Sequence, residues 1–116
     1  MSNMADSPSQ QTRTAVTERI IAHVTNLWPH LGKPAVRHTG QFCYVGAVLP
    51  GSREPTPILR LRYKGSADRW AIAIYLASDD RYTESELPAC FGPVTGTPEE
   101  GIDHTFFLYA GPSAHR

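Results

Sequence analysis

Disulfide bonding, membrane crossing and a bulk charge of either sign are all poorly provided for in this sequence. Cysteine occurs only twice in 116 residues, at Cys43 and Cys90, and in no CxxC spacing. In a reducing compartment such thiols act as small buried hydrophobes, so no disulfide is expected. The longest apolar run is the eight residues Trp70–Ala77, well short of the about 20 that a membrane-spanning helix needs. The first residues, MSNMADSPSQQ, carry neither the basic start nor the apolar core of a secretory signal. The cytoplasm is therefore the expected compartment, with no membrane partner. Eleven Lys and Arg balance eleven Asp and Glu, which denies the chain the overall basicity of a dedicated nucleic-acid binder. The length suits a single domain.

The zero balance conceals an uneven layout, and partners respond to local fields more than to totals. Arg13, Arg19, Lys33 and Arg37 outweigh Glu18 across residues 13–38, and Arg53, Arg60, Arg62, Lys64 and Arg69 outweigh Glu54 and Asp68 across 53–69. Across 79–103 the sign reverses, with Asp79, Asp80, Glu84, Glu86, Glu99, Glu100 and Asp103 against Arg81 alone. Unless folding brings these segments together, the molecule is an electric dipole.

Residues 1–13 are polar, contain no aromatic anchor and read as a disordered tail. From Thr14, a candidate N-cap, Val16, Ile20, Val24, Leu27 and Leu31 recur at helical steps, with Ile21 and Trp28 widening the stripe. Pro29, Gly32 and Pro34 end this helix or bend its last turn. Residues 41–49, 57–64 and 69–77 are rich in β-branched and aromatic side chains and are separated by Pro, Gly and Ser breaks, which predicts an antiparallel three-stranded meander. Ala35–Thr39 would make it four-stranded by adding an edge. Ser78-Asp79-Asp80 reads as a turn, and Thr83 with Glu86 as a capping box for one helical turn before Pro88. Cys90–Gly96 reads as a loop. Thr97 as cap, Pro98 at the first position and Glu99 and Glu100 in the first turn predict a helix over 98–110, although Thr105, Phe106, Phe107 and Tyr109 would also suit a strand.

The expected fold is α+β: a two-layer sandwich in the order helix, three strands, helix, forming one domain over 14–111 with a short tail at 112–116. Double-stranded-RNA-binding domains share this order of elements, but they grip phosphate with basic residues at the start of the last helix, where this chain carries Glu99 and Glu100.

Strand alternation puts Leu59, Leu61 and Tyr63 on one face and Arg60, Arg62 and Lys64 on the other. On the next strand Trp70, Ile72, Ile74 and Leu76 oppose Arg69, Ala71, Ala73 and Tyr75. The first face must be buried beneath the helix of residues 15–28. The second presents a shallow cationic strip, with Arg60, Arg62 and Lys64 as phosphate contacts, Arg69 flanking them and Tyr75 placed to stack on a base. Solvated cations that guard against aggregation, or arginines paired with the acidic segment, are the blander readings of that strip.

Other motifs lead nowhere firm. The loop Gly92–Thr97 before a helix resembles an anion cradle, but Pro98 removes one donor and the two glutamates after it occupy the helix dipole. Zinc needs about four close N or S ligands; His38, Cys43, Cys90 and His104 are the sole candidates and are widely spaced, so no metal or cofactor is expected. Ser85 with a histidine and an aspartate could be assembled into a hydrolase, as could any chain of this length, and Asp103 beside His104 is adjacency without geometry. His23 and His30 read as boundary histidines. The expectation is a non-catalytic binding module whose partner is nucleic acid at the cationic strip. The alternative is a protein-interaction or regulatory module, docking an acidic protein on the sheet face or using the acidic 79–103 region.

Overall fold

The structure, a computed structural model, describes residues 7–76, 80–84 and 95–110. Its first helix, α1, spans Gln10–Leu27, with its cap at Ser9, five residues ahead of the expected cap Thr14. Ser9 is the cap: its hydroxyl accepts from the Thr12 N–H at 3.1 Å, as an N-cap side chain does. Gln10–Arg13, read from the sequence as tail, therefore belong to the helix. Val16, Ile20 and Val24 bury its inner stripe. Pro29 then starts a single 3-10 turn, Pro29–Leu31, which carries Leu31 into the core.

Five strands follow in meander order: β1 (Ala35–Thr39), β2 (Phe42–Ala47), β3 (Thr56–Ser66), β4 (Arg69–Leu76) and β5 (Arg81–Glu84). A sixth, β6 (Thr95–Gly96), pairs with β4. Every pairing is antiparallel, so the α+β class holds, with more strands than the three or four expected. β1 and β2 are joined by the two-residue turn Gly40–Gln41, where Gly40 has φ 57°, a left-handed value that glycine adopts without penalty. Glu86 and the rest of the helical turn expected after Thr83 lie outside the described residues, while Thr83, its expected cap, lies within β5 opposite Ile74. A four-residue strand wins there because β4 offers a ready edge, and pairing outweighs the local cap signal.

The last helix, α2 (Pro98–Ala110), forms as expected. Thr97 Oγ1 accepts from the Glu100 N–H at 3.1 Å while Glu100 Oε1 accepts from the Thr97 N–H at 2.9 Å, a reciprocal capping box. Thr105 is compatible with the helix because its buried hydroxyl donates to the Gly101 carbonyl at 2.8 Å.

Both helices cover one face of the sheet. The register pairs Leu59 with Ile74, Leu61 with Ile72 and Tyr63 with Trp70, and puts Cys43 and Val45 beside Leu61 and Leu59. These residues, apart from the half-buried Tyr63 and Ile74, are sealed from solvent. The helix lying directly on β3 and β4 is α2, in place of the expected first helix; α1 instead lies against β1 and α2. Gly101 makes this approach possible: a Cβ there would stand 3.0 Å from Leu61 Cδ2 and 3.3 Å from Ile72 Cγ1. α1 packs alongside α2, where the Trp28 and Phe106 rings meet at 5.4 Å.

Candidate functional site

The face turned away from the helices combines aromatic rings with guanidinium groups. Pairing places Phe42 opposite Arg62, Tyr44 opposite Arg60 and Arg37, Arg60 opposite Ala73, and Tyr75 opposite Tyr82. Four aromatic side chains from three strands thus share one surface with three arginines. Their rings form a continuous path, with centroids 6.1 Å apart from Phe42 to Tyr44, 5.4 Å from Tyr44 to Tyr82 and 5.3 Å from Tyr82 to Tyr75. The last two contacts are edge-on, the geometry that ring quadrupoles favour. The Arg37 guanidinium carbon lies 4.3 Å from the Tyr44 centroid and that of Arg60 lies 4.4 Å from Phe42, both within cation–π range. Stacking fixes each planar group against its ring, and Arg37 Nη1 also donates to Thr39 Oγ1 at 3.0 Å.

Small residues underlie this layer. Ala71 and Ala73 are fully buried on β4. At one end of the face a groove of about 250 Å³ opens between Arg37, Tyr44, Gly46, Pro57 and Tyr82. Tyr75 donates its hydroxyl hydrogen to Asp80 Oδ1, tying the face to the start of β5.

Of the residues singled out from the sequence, Arg60, Arg62 and Tyr75 are half-buried within this layer. Lys64 and Arg69 are exposed beside the β3–β4 turn, past a register shift between Tyr63 and Ser66 that separates them from the regular part of the strip. Sequence reasoning missed Arg37, Phe42, Tyr44 and Tyr82. On β2, Phe42 and Tyr44 alternate with Cys43 and Val45, so neither side of that strand looks polar. The available signal was cross-strand: once Arg60 and Arg62 are assigned to the open face, the hairpin register carries Phe42 and Tyr44 with them.

The charged segments do meet elsewhere. Arg19 of α1 grips Glu99 of α2 with two hydrogen bonds, Nε to Oε2 at 2.9 Å and Nη2 to Oε1 at 2.8 Å, and its Nη1 lies 2.9 Å from Asp68 Oδ1. The Glu99 hydrogen bond raises the Arg19 pKa further above its already high value, and Arg19 in turn holds the Glu99 carboxyl below the usual range. His23 Nε2 stands 2.8 Å from Asp103 Oδ1. The dipole expected from the linear charge pattern is thereby partly neutralised across the helix pair.

The remaining chemical candidates do not assemble. Asp103 faces His23 instead of its neighbour His104, which is exposed, and Ser85 lies outside the described residues. Of the four zinc candidates, His38 and Cys43 approach to 4.0 Å, His104 is on α2, and Cys90 lies outside the described residues. Burial pushes the Cys43 thiol up to about 12, so it is protonated at neutral pH. Among the described residues no three of His, Cys, Asp and Glu converge as a metal site would require.

Among the described residues no helix is long and apolar enough to cross a membrane. No protein-family model, curated protein or solved structure matches this chain.

Proposed function

We propose that this protein is a non-catalytic binding module whose open sheet face takes single-stranded nucleic acid. The observation that carries the reading is the connected layer of Phe42, Tyr44, Tyr82 and Tyr75 with the Arg37 and Arg60 guanidiniums stacked into it. A strand whose bases are splayed out needs π-surfaces for the bases and cations for the phosphates, and a sheet face that interleaves the two supplies both over several nucleotides. The face suits single strands better than duplex, because ring stacking needs unpaired bases while a duplex offers mainly its backbone.

A second reading, docking of an acidic protein on the same face, is favoured by the zero net charge and by the Arg-and-Tyr composition, which is also that of protein interfaces. The acidic segment is the weaker docking candidate, since Glu99 and Asp103 are engaged with α1 and Glu100 caps its own helix.

Salt dependence of binding to a labelled mixed-sequence single strand separates these readings. Binding should weaken steeply with salt, and Arg60→Ala with Arg62→Ala should lower the log–log slope by about 1.4 on single strands, or about 2 on duplex, as two phosphate contacts are lost. Tyr44→Ala with Tyr82→Ala should instead weaken affinity by about 1–3 kcal/mol per base unstacked and leave that slope in place. Absence of salt-sensitive binding at low ionic strength eliminates the nucleic-acid reading; an acidic peptide captured by the wild type and lost with Arg60→Glu then establishes the second.

A further inference from the structure

On the helix-covered side of the molecule, away from the aromatic layer, a polar cleft of about 440 Å³ lies where the first turns of α1 pass β1. Its walls are Gln10, Arg13, Thr14, Thr17, Glu18 and His38. Five of these supply hydrogen-bond donors suited to an anion, and Glu18 is exposed at the rim.

Arg13 is treated differently here from Arg19 farther along the same helix. Arg19 meets two carboxylates. Arg13 meets none among the described residues; its Nη2 donates to the Gly40 carbonyl at 3.1 Å. Beside it, His38 Nε2 is 2.8 Å from Thr17 Oγ1. Arg13 Nε and His38 Nδ1 are both buried without a hydrogen bond of normal geometry. Buried polar atoms left unmet are uncommon, and two on adjacent side chains of one cleft point to a group that completes them.

We propose that this cleft binds a small tetrahedral oxyanion, for which inorganic phosphate is the simplest probe, between the Arg13 guanidinium, the His38 ring and the hydroxyls of Thr14 and Thr17. Arg13 turns its Nε edge into the cleft to do so, a rotamer change of the kind common on binding. With Nε and one Nη it then offers the two-pronged grip that guanidinium makes on oxyanions. The Thr17 hydroxyl rotates to suit, accepting from a protonated His38 or donating to a neutral one.

Proton linkage gives the site a second signature. The titratable and charged groups around His38 are Arg13 and Glu18 from α1 and the protonated Cys43 thiol from β2. Without an anion, burial first and the Arg13 charge second hold the imidazole below its ordinary value, and the Arg13 backbone carbonyl acts weakly the other way. A bound anion offsets the Arg13 charge, so occupancy raises the proton affinity of His38, and a tetrahedral anion that keeps its own charge, such as sulfate, is held more tightly as pH falls through the titration of that ring.

The test is an NMR titration of the full chain with inorganic phosphate at constant ionic strength, following the His38 ring and the Arg13 Nε–H, with chloride and acetate as parallel arms. The proposal expects a saturable shift of both signals with phosphate, an upward move of the His38 pKa on saturation, and a much weaker response to acetate. Arg13→Gln should weaken binding by about tenfold or more, as expected for loss of a charge-assisted contact, while Lys33→Gln, at an exposed cation that lines neither the cleft nor the open face, leaves it unchanged. If Arg13→Gln fails to fold, His38→Gln carries the same criterion. A non-saturating response that chloride reproduces, an equal response to acetate, or an undiminished affinity in the folded cleft variant overturns the proposal.

Discussion

On the covered side of the sheet, Leu61 and Ile72 stand opposite each other beneath Gly101 and are almost fully excluded from solvent. One residue along the same strands, Arg62 and Ala71 make the corresponding pair on the open side, where the guanidinium remains half-buried. The backbone pairing is continuous through both, so the strands themselves do not distinguish the sides. What differs is the opposing layer: two helices close one side over branched aliphatic residues, while the other carries its own lattice of rings and guanidiniums. Burial of the first stabilises the fold, and the second carries the proposed binding surface.

The sharpest challenge to this contrast is to truncate neighbours on opposite sides. Leu61→Ala should cost about 2–5 kcal/mol through lost burial and the cavity left behind, whereas Arg62→Ala should cost less than about 1 kcal/mol. Urea denaturation of the two variants measures the difference, and equal costs would mean that both sides serve stability.

A smaller effect belongs to the seam between the helices. Arg19→Ala should cost about 1 kcal/mol, at the upper end for a partly exposed pair because the grip on Glu99 is bidentate. Since Arg19 lowers the Glu99 pKa in the folded state, the pair's stabilisation is complete above the ordinary value of 4.5 and is lost as pH falls through the lowered one. The acid limb of a stability–pH curve should therefore be shallower in Arg19→Ala than in the wild type; identical limbs would remove the seam from the account.

The smallest effect concerns His38. Its folded-state pKa lies below 6.5, so above that value both states hold a neutral ring and pH has no effect through it. As pH drops below 6.5 the unfolded chain takes up the proton first, and stability declines until the folded ring titrates. His38→Gln should flatten that decline in phosphate-free buffer, measured as the thermal midpoint against pH.

Much of the covered side was legible in advance because its signals are local. The alternation of Leu59 and Leu61 with Arg60 and Arg62 defines both sides of β3, and Thr97 through Glu100 announces the start of α2. The open side was only half legible. Tyr82 sits on a strand too short to be read from Arg81–Glu84 alone, after an Asp-Asp pair that resembles the beginning of a turn. Phe42 and Tyr44 lie on a strand that is apolar on both sides, and only register against β3 assigns them. The cleft at Arg13 was hidden by the start of α1: with Arg13 assigned to a tail, nothing could bring it to His38.

The Arg19–Glu99 contact joins residues 80 apart in sequence, which has a bearing on how the chain comes together in time. α1 leaves the ribosome well before the helix that packs beside it and receives Trp28. At roughly 5–20 residues per second, synthesis of the intervening 80 residues takes between about 4 and 16 seconds. Throughout that interval the Val16, Ile20 and Val24 stripe lacks its final neighbour. Late, long-range closure of this kind slows folding and lengthens the exposure of apolar surface, so nascent chains ending before α2 should be the species most readily held by chaperones.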